Sequence, residues 1–161
     1  MSFKPVILIY DLDNKLVDEI AADIGATGLY TSINTYNESN AMDAIRQYDR
    51  GFGFLTNKLS CVITGWNNYK KPRDQFLYRL RAVEKSSPLR SNTPVIVVSE
   101  DHRADLKKRA LDPADGAACG YLHPDNFRET LTQMLHKVVF QKGTAELNRQ
   151  AREDLEKEMV D

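Results

Sequence analysis

"SCVITGWNNYKKP", residues 60–72, is an apolar segment that runs straight into a loop. Cys61, Val62, Ile63 and Thr64 form a continuous run without polar alternation, which suits a strand covered on both faces. Gly65, Trp66 and Asn67 stand at its carboxyl end, and Lys70, Lys71 and Arg73 make the following loop basic. What that strand end can do depends on what the rest of the chain places beside it.

Four other apolar runs repeat the pattern, at residues 6–10, 29–33, 94–98 and 117–122. Helical periodicity fills the intervals. Leu16, Val17, Ile20, Ala21 and Ile24 recur on one face after a cap at Asn14, and Gly25 falls where that helix stops. Ala41, Ala44, Ile45 and Tyr48 mark a second helix near 38–50, and Phe76, Leu77, Leu80 and Val83 a third. A fourth covers about 103–111 and ends before Pro113. A fifth starts at an Asp125 cap and carries Phe127, Leu131, Met134, Leu135 and Val138. Five rounds of strand and helix predict an α/β fold, a doubly wound parallel sheet. Right-handed crossovers then leave few topologies, among them the flavodoxin-like order 2-1-3-4-5.

Composition narrows the function. The chain has 161 residues, 42% hydrophobic and 28% charged, with a formal net charge of −1. No overall field calls for nucleic acid or an anionic membrane as partner. No apolar run approaches the roughly 20 residues that span a bilayer, and the start lacks the apolar core of a signal peptide. A cytoplasmic location is expected. Cys61 and Cys119 supply neither a disulfide framework nor a zinc site, and read as small buried hydrophobes. Gly51-Phe52-Gly53-Phe54 is not a phosphate-binding loop, because no Lys-Ser/Thr follows, and no nucleophile elbow occurs. No metal, cofactor or enzymatic activity is expected.

In a sheet of this order, functional groups gather at the carboxyl ends of the strands. Those ends carry Asp11-Leu12-Asp13, Gly65-Trp66-Asn67, Ser99-Glu100 and His123-Pro124. "VITGWNN" (62–68), "TPVIVVSE" (93–100) and "GAACGYLHP" (116–124) together resemble the receiver domain of two-component response regulators, the chemotaxis regulators in particular. The resemblance covers roughly residues 5–140 and implies a receiver-like domain over 1–140. Receivers transfer a phosphoryl group to an aspartate, using magnesium, a hydroxyl and a lysine. Carried over by position, Asp11 matches the first residue of the family's acidic pair, and Leu12 replaces the second. Gly65 replaces the phosphoacceptor, Asn67 stays in step, Ser99 supplies the hydroxyl, and His123 takes the lysine's place. The resemblance thus implies a degenerate pseudo-receiver that keeps the fold and loses the phosphorylation chemistry. The aromatic switch position aligns with Gly120, and Tyr121 is displaced by one residue, which turns it to the opposite face. The alternative is a local bulge that restores Tyr121 to that position.

Other readings stay open. Asp13 either starts the first helix together with Asn14 or swings in as a metal ligand, and a displaced phosphoacceptor is its further alternative. His102, His123 and His136 are scattered and read as loop or surface residues. Trp66 is either a partner anchor or a cover for the emptied pocket, and Lys70, Lys71 and Arg73 either meet an acidic partner or are solvated. Two loop-like insertions, "GFGFLTNK" (51–58) and "SSPLRSN" (86–92), interrupt the family's pattern. Beyond residue 140 a helical extension or linker (141–161) shows a stripe of Leu147, Ala151, Leu155 and Met159. It can pack on its own domain, pair with a second subunit or lead to another domain, with dimer contact or linker preferred. The expected function is a phosphorylation-independent interaction module in bacterial signalling. Its partner is a histidine kinase, another receiver or an output domain, and a homodimer is a further option. The surfaces expected to serve are the face of the fourth helix, fifth strand and fifth helix, or the C-terminal helix. The alternatives are a true phosphorelay receiver using Asp13, the regulatory domain of a longer response regulator, and an unrelated flavodoxin-like enzyme or nucleotide binder.

Overall fold

The computed structural model describes residues 4–49, 59–65, 74–86 and 92–160. β1 (Val6–Tyr10) lies inside a five-stranded parallel sheet, between β2 (Thr31–Thr35) and β3 (Leu59–Thr64). β4 (Val95–Val98) and β5 (Gly120–Leu122) complete the order β2-β1-β3-β4-β5. This is the doubly wound, flavodoxin-like topology that the alternation of strands and helices predicts. The register aligns Tyr10 with Thr35 and Thr64, Thr64 with Val97, and Val98 with Leu122. Strand ends are therefore brought level at one edge of the sheet.

Among the described residues six helices surround it: α1 (Asn14–Ala26), α2 (Glu38–Asp49), α3 (Asp74–Lys85), α4 (Ala104–Leu111), α5 (Arg128–Gln141) and α6 (Thr144–Val160). Alternate strand residues divide the core in two. Leu8, Val62, Val95 and Val97 face α2, α3 and α4, while Ile7, Ile9, Ile63, Ile96 and Val98 face α1 and α5. These strand residues are essentially fully buried, each worth about 1.5–3 kcal/mol of transfer free energy. Cys61 and Cys119 are buried among them, and burial pushes both thiols up, Cys119 to about 12. Inert packing is what that predicts.

Several boundaries differ from expectation, each for a local reason. Asp13, not Asn14, caps α1: its Oδ1 accepts the N–H groups of Lys15 at 3.1 Å and Leu16 at 3.3 Å. α5 starts at Arg128 with Phe127, not Asp125, in the cap position and no side-chain cap. β2 begins two residues later than its hydrophobicity suggests, since Gly28 at φ +70° turns the chain and Tyr30 is buried before pairing starts. β5 is shortened because Ala117 sits at φ 53°, where a strand cannot run.

The C-terminal segment packs back on its own chain, one of the three roles its sequence left open. Leu155 is buried and Ala151 packs with the core on the α4 side. Leu147 packs with the core on the α5 side. Asn148, a polar residue within the same stripe, is 8% exposed. Its Nδ2 donates to the carbonyl oxygens of Leu111 at 2.7 Å and Ala118 at 2.6 Å, and its Oδ1 accepts from Arg152 Nε at 2.8 Å. Met159 remains half exposed. No helix among the described residues is long and apolar enough to cross a membrane.

Candidate functional site at the carboxyl ends of the strands

The ends of β1 and β3 lie side by side at the head of the sheet. Asp11 is buried directly after β1, and its Oδ1 accepts the N–H of Asp13 at 2.7 Å. That bond bends the chain so that Leu12 faces outward, 38% exposed, while Asp13 turns its carboxylate to the start of α1. Gly65 closes β3: it is buried, and its N–H donates to the Tyr10 carbonyl at 3.3 Å. Trp66, Asn67, Lys70, Lys71 and Arg73, together with most of both insertions, lie outside the described residues.

A magnesium ion of the kind used in phosphoryl transfer needs several oxygen ligands in a near-octahedral shell. Here Asp11 is one buried carboxylate, Leu12 offers no donor, Gly65 has no side chain, and the Asp13 carboxylate is engaged by a helix start. Among the described residues no group of three His, Cys, Asp or Glu side chains converges on one point. The described residues at these strand ends do not fit such an ion.

β4 and β5 build the other side. Ser99 is buried, its N–H donates to the Leu122 carbonyl at 2.8 Å, and its Oγ accepts the N–H of Asp101 at 3.2 Å. Gly120 pairs with Ile96 and faces α5, where an added Cβ would meet Met134. Tyr121 pairs with Val97 and so faces α4, on the side of Ser99. β5 pairs with β4 residue for residue, so Gly120 and Tyr121 point to opposite faces of the sheet. Its hydroxyl donates to the Asp101 carbonyl, and burial, offset in part by Ser99, pushes the phenol up to about 12.

His123 stands beyond β5, where its Nδ1 accepts the N–H of Asp125 at 3.1 Å. Its ring lies 5.2 Å from that of His102, which in turn meets Tyr121 edge-on at 5.0 Å. Sequence spacing gave no hint of that pairing, since both histidines sit in loops on different strand ends. Burial, reinforced by Lys107, pulls the His102 imidazole below its ordinary value. Asp101 is held below the usual carboxylate range by hydrogen bonds from Arg103. A polar cavity of about 330 Å³ opens between Asp13, Lys15, Glu19, Glu100, His123 and Asp125.

No family profile matches the sequence, and no curated protein does. Solved structures do. The receiver domain of the Francisella response regulator 1452 superposes with a TM-score of 0.66 at 19% identity, over 86% of this chain and 99% of that one. The signal receiver domain of an HD domain-containing protein from Pseudomonas fluorescens Pf-5 gives 0.65 at 16% identity, covering 95% of each chain. A response regulator receiver domain from Clostridium thermocellum gives 0.62 at 17%, over 86% and 96%. The chain has the receiver fold.

Within that receiver fold, Asp11, Gly65 and Ser99 occupy the strand ends where sequence reasoning placed them, with His123 just past β5. Two polar networks away from the site escaped that reasoning. In one, Arg81 is buried and donates to Gly116, Thr93 and Ala117 carbonyls and to Glu84 Oε1 at 2.8 Å. The i,i+3 spacing of Arg81 and Glu84 looks like an ordinary surface pair, so no signal in the sequence marked them. The other is the Asn148 anchor of α6.

Proposed function

We propose that this chain is a phosphorylation-independent pseudo-receiver, a non-enzymatic module that acts in bacterial signal transduction by binding a protein partner. The observation that carries the reading is Gly65, buried at the carboxyl end of β3 with its N–H bonded to Tyr10. A phosphoacceptor needs a side-chain nucleophile at that strand end, and glycine has none. The outward turn of Leu12 and the helix-capping role of Asp13 support it, because among the described residues they leave Asp11 as the one buried carboxylate there. Residues 1–140 serve as the receiver-like unit and 141–161 as its helical extension. The partner is a histidine kinase, another receiver or an output domain, met through the α4–β5–α5 side of the molecule.

Intact-mass spectrometry after incubation with magnesium and acetyl phosphate tests this, beside a receiver that keeps its aspartate. The expected result is a phosphoryl adduct on the control and none on this chain. An adduct that disappears in Asp13→Asn would overturn the proposal and make the site a rewired phosphoacceptor.

A further inference from the structure

α6 lies over the face formed by α4, β5 and α5, so its own contacts report what that face recognises. Its apolar positions, Leu147, Ala151 and Leu155, are spaced by four residues and pack into both core layers. An acidic residue near each end of α6 meets a lysine of the face. Glu146 pairs with Lys137 at 3.1 Å, and Glu158 pairs with Lys107 at 3.3 Å. Between them Asn148 satisfies two buried carbonyl oxygens. The face therefore reads three things in a helix: an apolar stripe, a carboxylate near each end and one amide close to the N-terminal end.

α6 meets these requirements incompletely. A cleft-like cavity of about 450 Å³, open to solvent, runs along the helix beside the β5–α5 surface, with Gly120 and Met134 in its wall. Both flanking carboxylates are more than half exposed, so their ion pairs are weak. The hinge to α5 is Lys142, held at φ 52° in the left-handed region that a residue with a Cβ adopts at a cost.

We infer that the α4–β5–α5 face binds an amphipathic helix of a partner protein, with carboxylates flanking an apolar stripe, and that α6 is its built-in competitor. The inference rests on the reading of the chain as a partner-binding module, and adds the partner's chemistry and the means of control. At rest α6 covers the face, and a helix that fills the cavity and supplies the amide displaces it.

The test uses the full-length chain and, as probe, a fluorescein-labelled peptide of residues 144–160. In Glu146→Lys/Glu158→Lys the chain's own α6 is loosened without touching its buried positions. Fluorescence anisotropy is expected to show this variant binding the peptide roughly tenfold more tightly than the wild type, from the loss and reversal of two exposed ion pairs. Adding Lys107→Glu/Lys137→Glu to that background is expected to abolish the gain, and Asn148→Ala in the peptide to reduce it. Far-UV circular dichroism confirms that each variant is folded. Equal peptide affinity in wild type and variant, or a gain that survives the lysine reversals, would overturn the inference. So would dimerisation of the wild-type chain in light scattering, which would give the face to a second copy. A phosphoryl adduct would count against the pseudo-receiver reading and leave the peptide result standing, so the two failures are separable.

Discussion

The side-chain amide of Asn148 donates to the Leu111 carbonyl oxygen at 2.7 Å, joining α6 to the last turn of α4. Leu111 is at the helix end, where carbonyl groups lack intrahelical partners. The same amide reaches Ala118 in the approach to β5. Asn148→Ala leaves both acceptors without this donor, and a buried acceptor left unsatisfied costs about 1–3 kcal/mol. Urea denaturation of Asn148→Ala is expected to show a loss of about 2–4 kcal/mol. An exposed control such as Gln150→Ala is expected to change stability by less than about 0.5 kcal/mol.

Arg81 and Glu84 form a buried ion pair that ties α3 to Thr93, just before β4, and to Gly116 and Ala117 in the loop before β5. Removing one partner leaves a buried charge uncompensated, which costs about 3–5 kcal/mol. Arg81→Met is expected to fall in that range. Arg81→Met/Glu84→Leu should lose clearly less than the sum of the two single changes, and a double-mutant cycle in urea measures the difference.

Tyr121 gives a signature at alkaline pH. Its phenol is pushed up to about 12, against an ordinary value near 10. The folded state therefore holds this proton more tightly than the unfolded state. The resulting stability is fully present below about pH 10 and is lost as pH rises through about 12. The two-unit difference corresponds to roughly 2–3 kcal/mol. Absorbance titration at 295 nm is expected to lose its highest-pH step in Tyr121→Phe, and that variant should show a flatter alkaline limb in stability.

Two glycines should respond unequally to the same substitution. A Cβ on Gly116 would lie 2.5 Å from the Ala110 carbonyl oxygen and 3.0 Å from its Cα, both backbone atoms at the end of α4. On Gly120 it would meet the Cε of Met134, the far end of a flexible side chain. Gly116→Ala is expected to cost about 2–3 kcal/mol and Gly120→Ala about 1 kcal/mol. Thermal unfolding of the two variants, with Gly120→Ala/Met134→Ala as a relief control, checks the ranking.

Lys142 occupies the left-handed position at the end of α5, and Gly143 follows it with its N–H on the Lys137 carbonyl at 3.0 Å. Glycine is the residue suited to φ 52°. Lys142→Gly is expected to raise stability by up to about 1 kcal/mol, read as an increase in the urea midpoint.

The strands that were easiest to read are those buried on both faces. β1, β3 and β4 are unbroken apolar runs, so their positions followed from hydrophobicity alone. β2 has only Ile33 at its centre, and the burial of Tyr30 drew the expected strand two residues early. β5 owes its short length to a backbone angle at Ala117 that residue type does not advertise. The strand-end residues Asp11, Gly65 and Ser99 were legible because strand order fixes where such residues meet. The orientation of Tyr121 was not, since a one-residue offset decides its face and only pairing with Val97 resolves it. The docking of α6 was hidden for a different reason. Its anchor is an asparagine, and polar residues in a helix are ordinarily assigned to solvent.

The packing of α6 has a consequence for the order in which the chain folds. Its seat is assembled from α4, β5 and α5, and Asn148 contacts carbonyls on both sides of the loop that leads into β5. That seat does not exist until the last strand has joined the sheet. Contacts made after the rate-limiting step leave the folding rate unchanged and set the rate of unfolding. In a chevron plot Asn148→Ala is therefore expected to leave the folding limb in place and lift the unfolding limb. The helix that closes the molecule last would then be the one that governs how long it stays folded.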